Sequence, residues 1–290
     1  MVFSPLLMVL AATCLQAPKE FEFRDNDRVV WIGNTLVERE QRYGFWESAV
    51  LAANRDKKIT WRNLGWSGDT VFGEARAGFD NAAKGFERLV SLTLELKPTV
   101  IVISYGANES FEGVEGLTKF EKGLEKLLEA LKPARARIVL CSPLPVASTA
   151  LHAEERNKLL ARYGEAIGVL AKKHACFFAD LTPLIHTDEI ALMDNGIHLN
   201  EAGYRVTAPR FLKSLGMEAS SPDSEQLEHL RQAVIEKNQL FFYRWRPQNE
   251  TYLFGFRKHE QGKNAKEVAE FDPLVGKVEE EIDRLRQHGK

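Results

Sequence analysis

From Arg28 to about Leu215, short apolar runs rich in β-branched residues alternate with longer stretches whose apolar positions return every three or four residues. The runs 28–32, 58–63, 99–104, 136–141 and 175–179 each give way to Gly, Pro, Asn or Asp and read as strands. Between them, Leu117, Phe120, Leu124, Leu127, Leu128 and Leu131 fall on one face of a helix. Leu159, Leu160, Tyr163, Ile167 and Leu170 form a second such face. Apolar strands separated by helices bury both their faces. The pattern therefore argues for an α/β protein of three-layer α/β/α form, with a parallel sheet between helices. In such sheets ligands sit beyond the carboxyl ends of the strands, so the chemistry is expected in the loops that follow them.

The pattern breaks near residues 220–223. Ser221 can cap a helix with Pro222 at its first position, and Leu227, Leu230 and Val234 then recur at helical spacing. Residues 241–256 follow, dense in aromatics and carrying Arg244 and Arg246. Asp272-Pro273 opens a last helix with Leu274, Val278, Ile282 and Leu285 on one side. The organisation expected is an α/β domain at 20–217 and a helical, aromatic C-terminal extension at 221–290 packed on it. The aromatic stretch is expected as an extended strap; lining of a pocket is the alternative. Residues 1–17 resemble a secretory signal peptide ending at Ala17, although no basic residue precedes the apolar run, and they imply an exported protein.

Composition narrows the classes. At 290 residues, 44% hydrophobic and 28% charged, the chain can bury a full core, and a net charge of -2 gives no footprint for nucleic acid. After the leader no apolar run approaches the roughly 18 residues of a membrane-spanning helix. Cys14 belongs to the leader; Cys141 and Cys176 lie in strand-like runs and read as buried free thiols, with a disulfide as the alternative. There is no CxxC and no Gly-rich phosphate loop, and His152, His174, His186, His229, His259 and His288 lack ligand spacing, so no metal or other cofactor is called for.

Asp194-Asn195-Gly196-Ile197-His198 carries the clearest chemistry. A histidine delivered from a loop, with a carboxylate and an amide just before it, suits activation of a hydroxyl nucleophile. Earlier strand ends deliver Gly33-Asn34-Thr35-Leu36, then Gly65-Trp66-Ser67-Gly68-Asp69, then Gly106-Ala107-Asn108-Glu109. These blocks, in this order over residues 27–215, resemble the SGNH (GDSL-type) esterase and acylhydrolase superfamily. The resemblance implies a flavodoxin-like sheet and an ester hydrolase. Thr35 would stand at the nucleophile position, the backbone N–H of Gly68 and the side-chain amide of Asn108 would hold an oxyanion, and His198 would be the general base.

Two residues depart from the family's pattern. Its first block reads Gly-Asp-Ser-Leu, so Thr35 replaces the serine, a secondary alcohol with a stiffened χ1. Its aspartate three residues before the histidine is here Asn195, with Asp194 one step further off. Either can orient His198, but an amide cannot offset an imidazolium. Ser67 is a weaker candidate nucleophile in a near match to the GxSxG elbow, and Asp180 can line the pocket or make a turn. The reading is a hydrolase of acyl or acetyl esters, with a small-molecule or carbohydrate ester as substrate. Its competitors are a ligand-binding protein with an impaired site, and an interaction module whose extension can be deleted without loss of folding.

Overall fold

The structure, a computed structural model, describes residues 21–218 and 225–287; the leader and the Ser221-Pro222 pair lie outside the described residues. Strands β1 (Asp27–Gly33), β2 (Ile59–Asn63), β3 (Val100–Ser104), β4 (Arg137–Cys141) and β5 (Phe177–Ala179) form one parallel sheet in the order β2-β1-β3-β4-β5. This is the flavodoxin-like order, and all five strands fall where the apolar runs predict them. Along β1 the pleat sends Val29 and Trp31 to one face and Val30 and Ile32 to the other, and both faces are buried.

Helices α1 (Thr35–Tyr43) and α2 (Phe45–Ala53) follow β1 and meet at Gly44, whose φ of 67° lets the chain turn between them. With α6 (Glu201–Ser214) they cover the Trp31 face, where Trp46 stacks on Phe211 at 4.4 Å between ring centres. Helices α3 (Ala82–Glu95), α4 (Leu117–Leu131) and α5 (Ala153–Lys173) cover the other face. Between β5 and α6 lies a small antiparallel hairpin, β6 (Met193–Asp194) and β7 (His198–Leu199). Cys141 and Cys176 are both free, so the disulfide alternative does not hold. Among the described residues no helix is long and apolar enough to cross a membrane.

Beyond α6 come α7 (Glu225–Trp245), the short α8 (Glu250–Leu253) and α9 (Lys258–Gln261), and α10 (Phe271–Gln287). The aromatic stretch is not an extended strap. Residues 241–245 continue α7, because no Gly or Pro interrupts the helix before Pro247. In α10 the buried face uses Val275 and Ile282, whereas Leu274 is exposed. Spacing alone assigned the neighbouring residue to the wrong side.

The extension is anchored by charge as well as by apolar contact. Lys237 of α7, fully buried, donates to Glu47 Oε1 of α2 at 2.6 Å, to Asn238 Oδ1 at 2.7 Å and to the Trp61 carbonyl of β2 at 2.9 Å. Arg62 of β2 pairs with Glu279 of α10. Among the described residues strand β2 pairs with β1 alone, so α7 and α10 close the edge that the sheet would otherwise leave open.

Candidate active site

The four loops meet at the carboxyl end of the sheet, each held by identifiable bonds. Asn34 caps α1, its side chain accepting from Leu36 N at 3.2 Å, which leaves Thr35 as the first residue of the helix. The loop after β2 is tied to this turn. Trp66 N donates to Gly33 O at 3.0 Å, and Asn63 Nδ2 donates to Val37 O at 2.7 Å. Gly65 lies directly on the backbone of Val37 and Glu38, where a Cβ has no room. Gly68, with φ at 78°, directs its N–H at Thr35 Oγ1, 3.4 Å away.

The third loop is bound to the second. Asn108 Nδ2 donates one of its two protons to Asp69 O at 2.8 Å. The buried Glu109 carboxylate accepts from Val71 N and from Gly106 N, both at 2.8 Å; burial pushes it up to about 7. Beneath lies a buried Arg76–Asp69 pair at 2.7 Å, with Tyr105 donating to the same Asp69 oxygen at 2.8 Å.

The fourth loop is the β6–β7 hairpin. Asn195 and Gly196 are its two central residues, with φ at 46° and 72°, and Ile197 N donates back to Asp194 O at 3.1 Å. Positive φ at both positions makes this a type I′ turn, for which Asn-Gly is the preferred pair. Asn195 is therefore a turn residue, exposed at the tip. Asp194 pairs with Arg39 of α1, which also reaches Leu199 O. His198 is half-buried, and among the described residues its ring makes no hydrogen bond. Burial holds it below the usual histidine range; the Arg39 charge adds to that and the Asp194 charge opposes it.

Thr35, Asn108 and His198 line one cavity of about 230 Å³, with Arg39 and Arg156 and an apolar wall that includes Leu144 and Leu160. Gly68 joins through its bond to Thr35. Ser67, Asp180, Asp194 and Asn195 do not line this cavity. Asp180 accepts from Ser142 Oγ and Thr182 N, both at 2.9 Å, the turn role and not the pocket role. Arg39 is a site residue absent from the four sequence blocks, although it stands one helical turn beyond Thr35. Arg156 carried no local signal, whereas Glu109 and Arg246 stand in stretches the sequence already marks, without a pattern that gives their role.

Arg246, just past α7, stacks on Trp66 with 3.5 Å between its guanidinium carbon and the ring centre. It also donates to Glu38 Oε2 at 3.0 Å, the oxygen that accepts from Ser67 N. The extension thus braces the loop that carries Gly68.

A doubly covered parallel sheet with these four strand-end loops defines the SGNH hydrolase fold, and the chain belongs to the GDSL-like lipase/acylhydrolase family, whose model matches residues 30–206. Its members are ester-hydrolysing enzymes. An acetylxylan esterase of Xylanibacter ruminicola is 26% identical over 222 residues, which is 67% of this chain and 43% of that protein; the chain thus spans less than half of that relative's length. The acetylxylan esterase Axe2 of Geobacillus stearothermophilus superposes with a TM-score of 0.52 at 19% identity, covering 70% of this chain and 98% of the other. A gut microbial diltiazem-metabolizing enzyme, BT4096, gives 0.51 at 21% identity over 69% of this chain and 49% of its own. At these identities the structural likeness shows the fold.

Proposed function

We propose that the protein hydrolyses acetyl or other short acyl esters of carbohydrates, outside the cytoplasm if the leader is used. Thr35 Oγ1 attacks the ester carbonyl while His198 takes its proton. Gly68 N–H and the second proton of the Asn108 amide hold the oxyanion. His198 returns the proton to the leaving alcohol, and water releases the acyl group from Thr35 by the same steps. The observation that carries this reading is the Gly68 N–H directed at Thr35 Oγ1, on the cavity that Asn108 and His198 share. The carbohydrate part rests on the two acetylxylan esterases among the similar proteins.

Of the two candidates to orient His198, the geometry favours Asp194, whose charge already raises the histidine's proton affinity; Asn195 is occupied as a turn residue. The hold of Arg39 on Asp194 supports the second reading, a ligand-binding protein that turns over slowly or not at all. Hydrolysis of 4-nitrophenyl acetate and of acetylated xylo-oligosaccharides decides between them. The esterase reading expects measurable turnover that falls by about 10³-fold or more in Thr35→Ala and His198→Ala and by about 10²-fold in Asn108→Ala. Activity that survives Thr35→Ala and vanishes in Ser67→Ala would remove Thr35 from the mechanism. No turnover from the folded wild type would leave the binding reading.

A further inference from the structure

Among the described residues, the cavity that holds Thr35 and His198 is lined by two arginines and by no aspartate or glutamate. The arginines are not equivalent. Arg39 has its counter-charge in Asp194. Arg156, in the first turn of α5, donates to the Ala107 carbonyl at 2.5 Å and lies over the Phe111 ring with 3.5 Å between guanidinium carbon and ring centre. Among the described residues no carboxylate comes within 4.0 Å of it. The neighbouring Glu154 pairs with Lys158 in solvent, and Glu112, beside Phe111, pairs with Lys119.

A half-buried cation facing a cavity whose walls offer no matching charge is costly, and burial already lowers the proton affinity of Arg156. That cost is offset when an anion enters. The planar guanidinium also favours one anion geometry, the paired oxygens of a carboxylate. Arg156 borders the same space as the Thr35 hydroxyl, so the carboxylate would belong to the molecule being cleaved and not to a separate effector.

Resting on the esterase reading above, we propose that Arg156 is a specificity residue that selects esters carrying a carboxylate away from the scissile bond. The carboxylate can stand on the alcohol side, as in an acetylated uronic acid, or on the acyl side, as in a half-ester of a dicarboxylic acid. Arg156 binds it while Phe111 and the Ala107 carbonyl fix the guanidinium plane.

The test compares matched pairs. An acetylated glucuronic acid is set against its methyl ester, and mono-4-nitrophenyl succinate against 4-nitrophenyl butanoate. In the wild type the charged member of one pair should have a kcat/KM at least about tenfold higher, as a charge-assisted hydrogen bond provides. The pair that shows it tells which side bears the carboxylate. The ratio should fall toward one in Arg156→Gln, mainly through KM, and recover in part in Arg156→Lys. Since each variant is judged by a ratio, a general loss of activity does not mimic the result. No preference in either pair, or a preference unchanged in Arg156→Gln, overturns the proposal. Should no ester be hydrolysed, the esterase reading fails by itself, and calorimetric titration with glucuronate and succinate decides this one. Binding that glucose does not show, lost in Arg156→Gln, supports it; equal or no binding overturns it.

Discussion

Position 35 shows how much a single hydroxyl depends on its neighbours. Asn34 secures the helix start, Gly68 supplies an N–H opposite, and His198 waits across the cavity without a hydrogen bond among the described residues. The histidine must be neutral to accept the threonine proton. Because burial and Arg39 hold its proton affinity down, the acid limb of kcat/KM is expected below the ordinary histidine range. Arg39→Gln removes one of those causes and should move the limb up, whereas Asp194→Asn should move it down; a pH profile of each variant checks both directions. If neither moves the limb, His198 is not the titrating base. Gly68→Ala is a second check. A Cβ meets nothing within 4 Å there, but φ of 78° disfavours alanine, so stability should fall by about 1 kcal/mol through backbone strain. Chemical denaturation measures it. Asn195 occupies the family's carboxylate position, although Asn-Gly between two short extended segments already signals a type I′ hairpin. Arg39 was within reach of a local pattern, one turn of α1 beyond Thr35, whereas Arg156 reaches the site through tertiary placement, which no local pattern carries.

Among the elements, α7 and the residue that follows it do two separable jobs, and variants can tell them apart. Lys237 is buried among Glu47, Asn238 and the Trp61 carbonyl. Lys237→Ala strands Glu47 without its cation and should cost about 3–5 kcal/mol in denaturant unfolding. Arg246 lies on the surface side, against Trp66 and Glu38. Arg246→Ala should leave the unfolding midpoint nearly in place while kcat falls roughly ten- to a hundredfold, since the Gly68 loop loses its brace. Equal stability and equal kcat would show that the brace has no part in turnover. The five strands and the main helices were legible because apolar runs and helical faces are local signals. The end of α7 was not, since an aromatic, arginine-rich segment has no strong preference until its tertiary neighbours decide.

For the whole molecule, buried carboxyls set how stability follows pH. Burial, with Glu47 beside it, pushes Glu40 up to about 8, and Glu109 stands at about 7. Both groups hold protons in the folded state that the unfolded chain has released. Their contribution is thus complete below the ordinary glutamate range and is lost as pH rises toward 7–8. Glu189, bonded to Arg210, is brought down to about 2, so its contribution is present above the ordinary range and is lost as pH falls toward 2. Glu40→Gln keeps an oxygen for the Trp46 and Glu47 amides and should flatten the fall in melting temperature between about pH 5 and 8. An unchanged slope would mean that Glu40 is not the group responsible. The buried Lys237 predicts that a chain without the extension keeps its sheet but is less stable than the full one. A chain shortened to end near residue 217 would leave the outer backbone groups of β2 open to any similar strand. Two such molecules would then join along that border, and light scattering should show more self-association for the shortened protein than for the full chain.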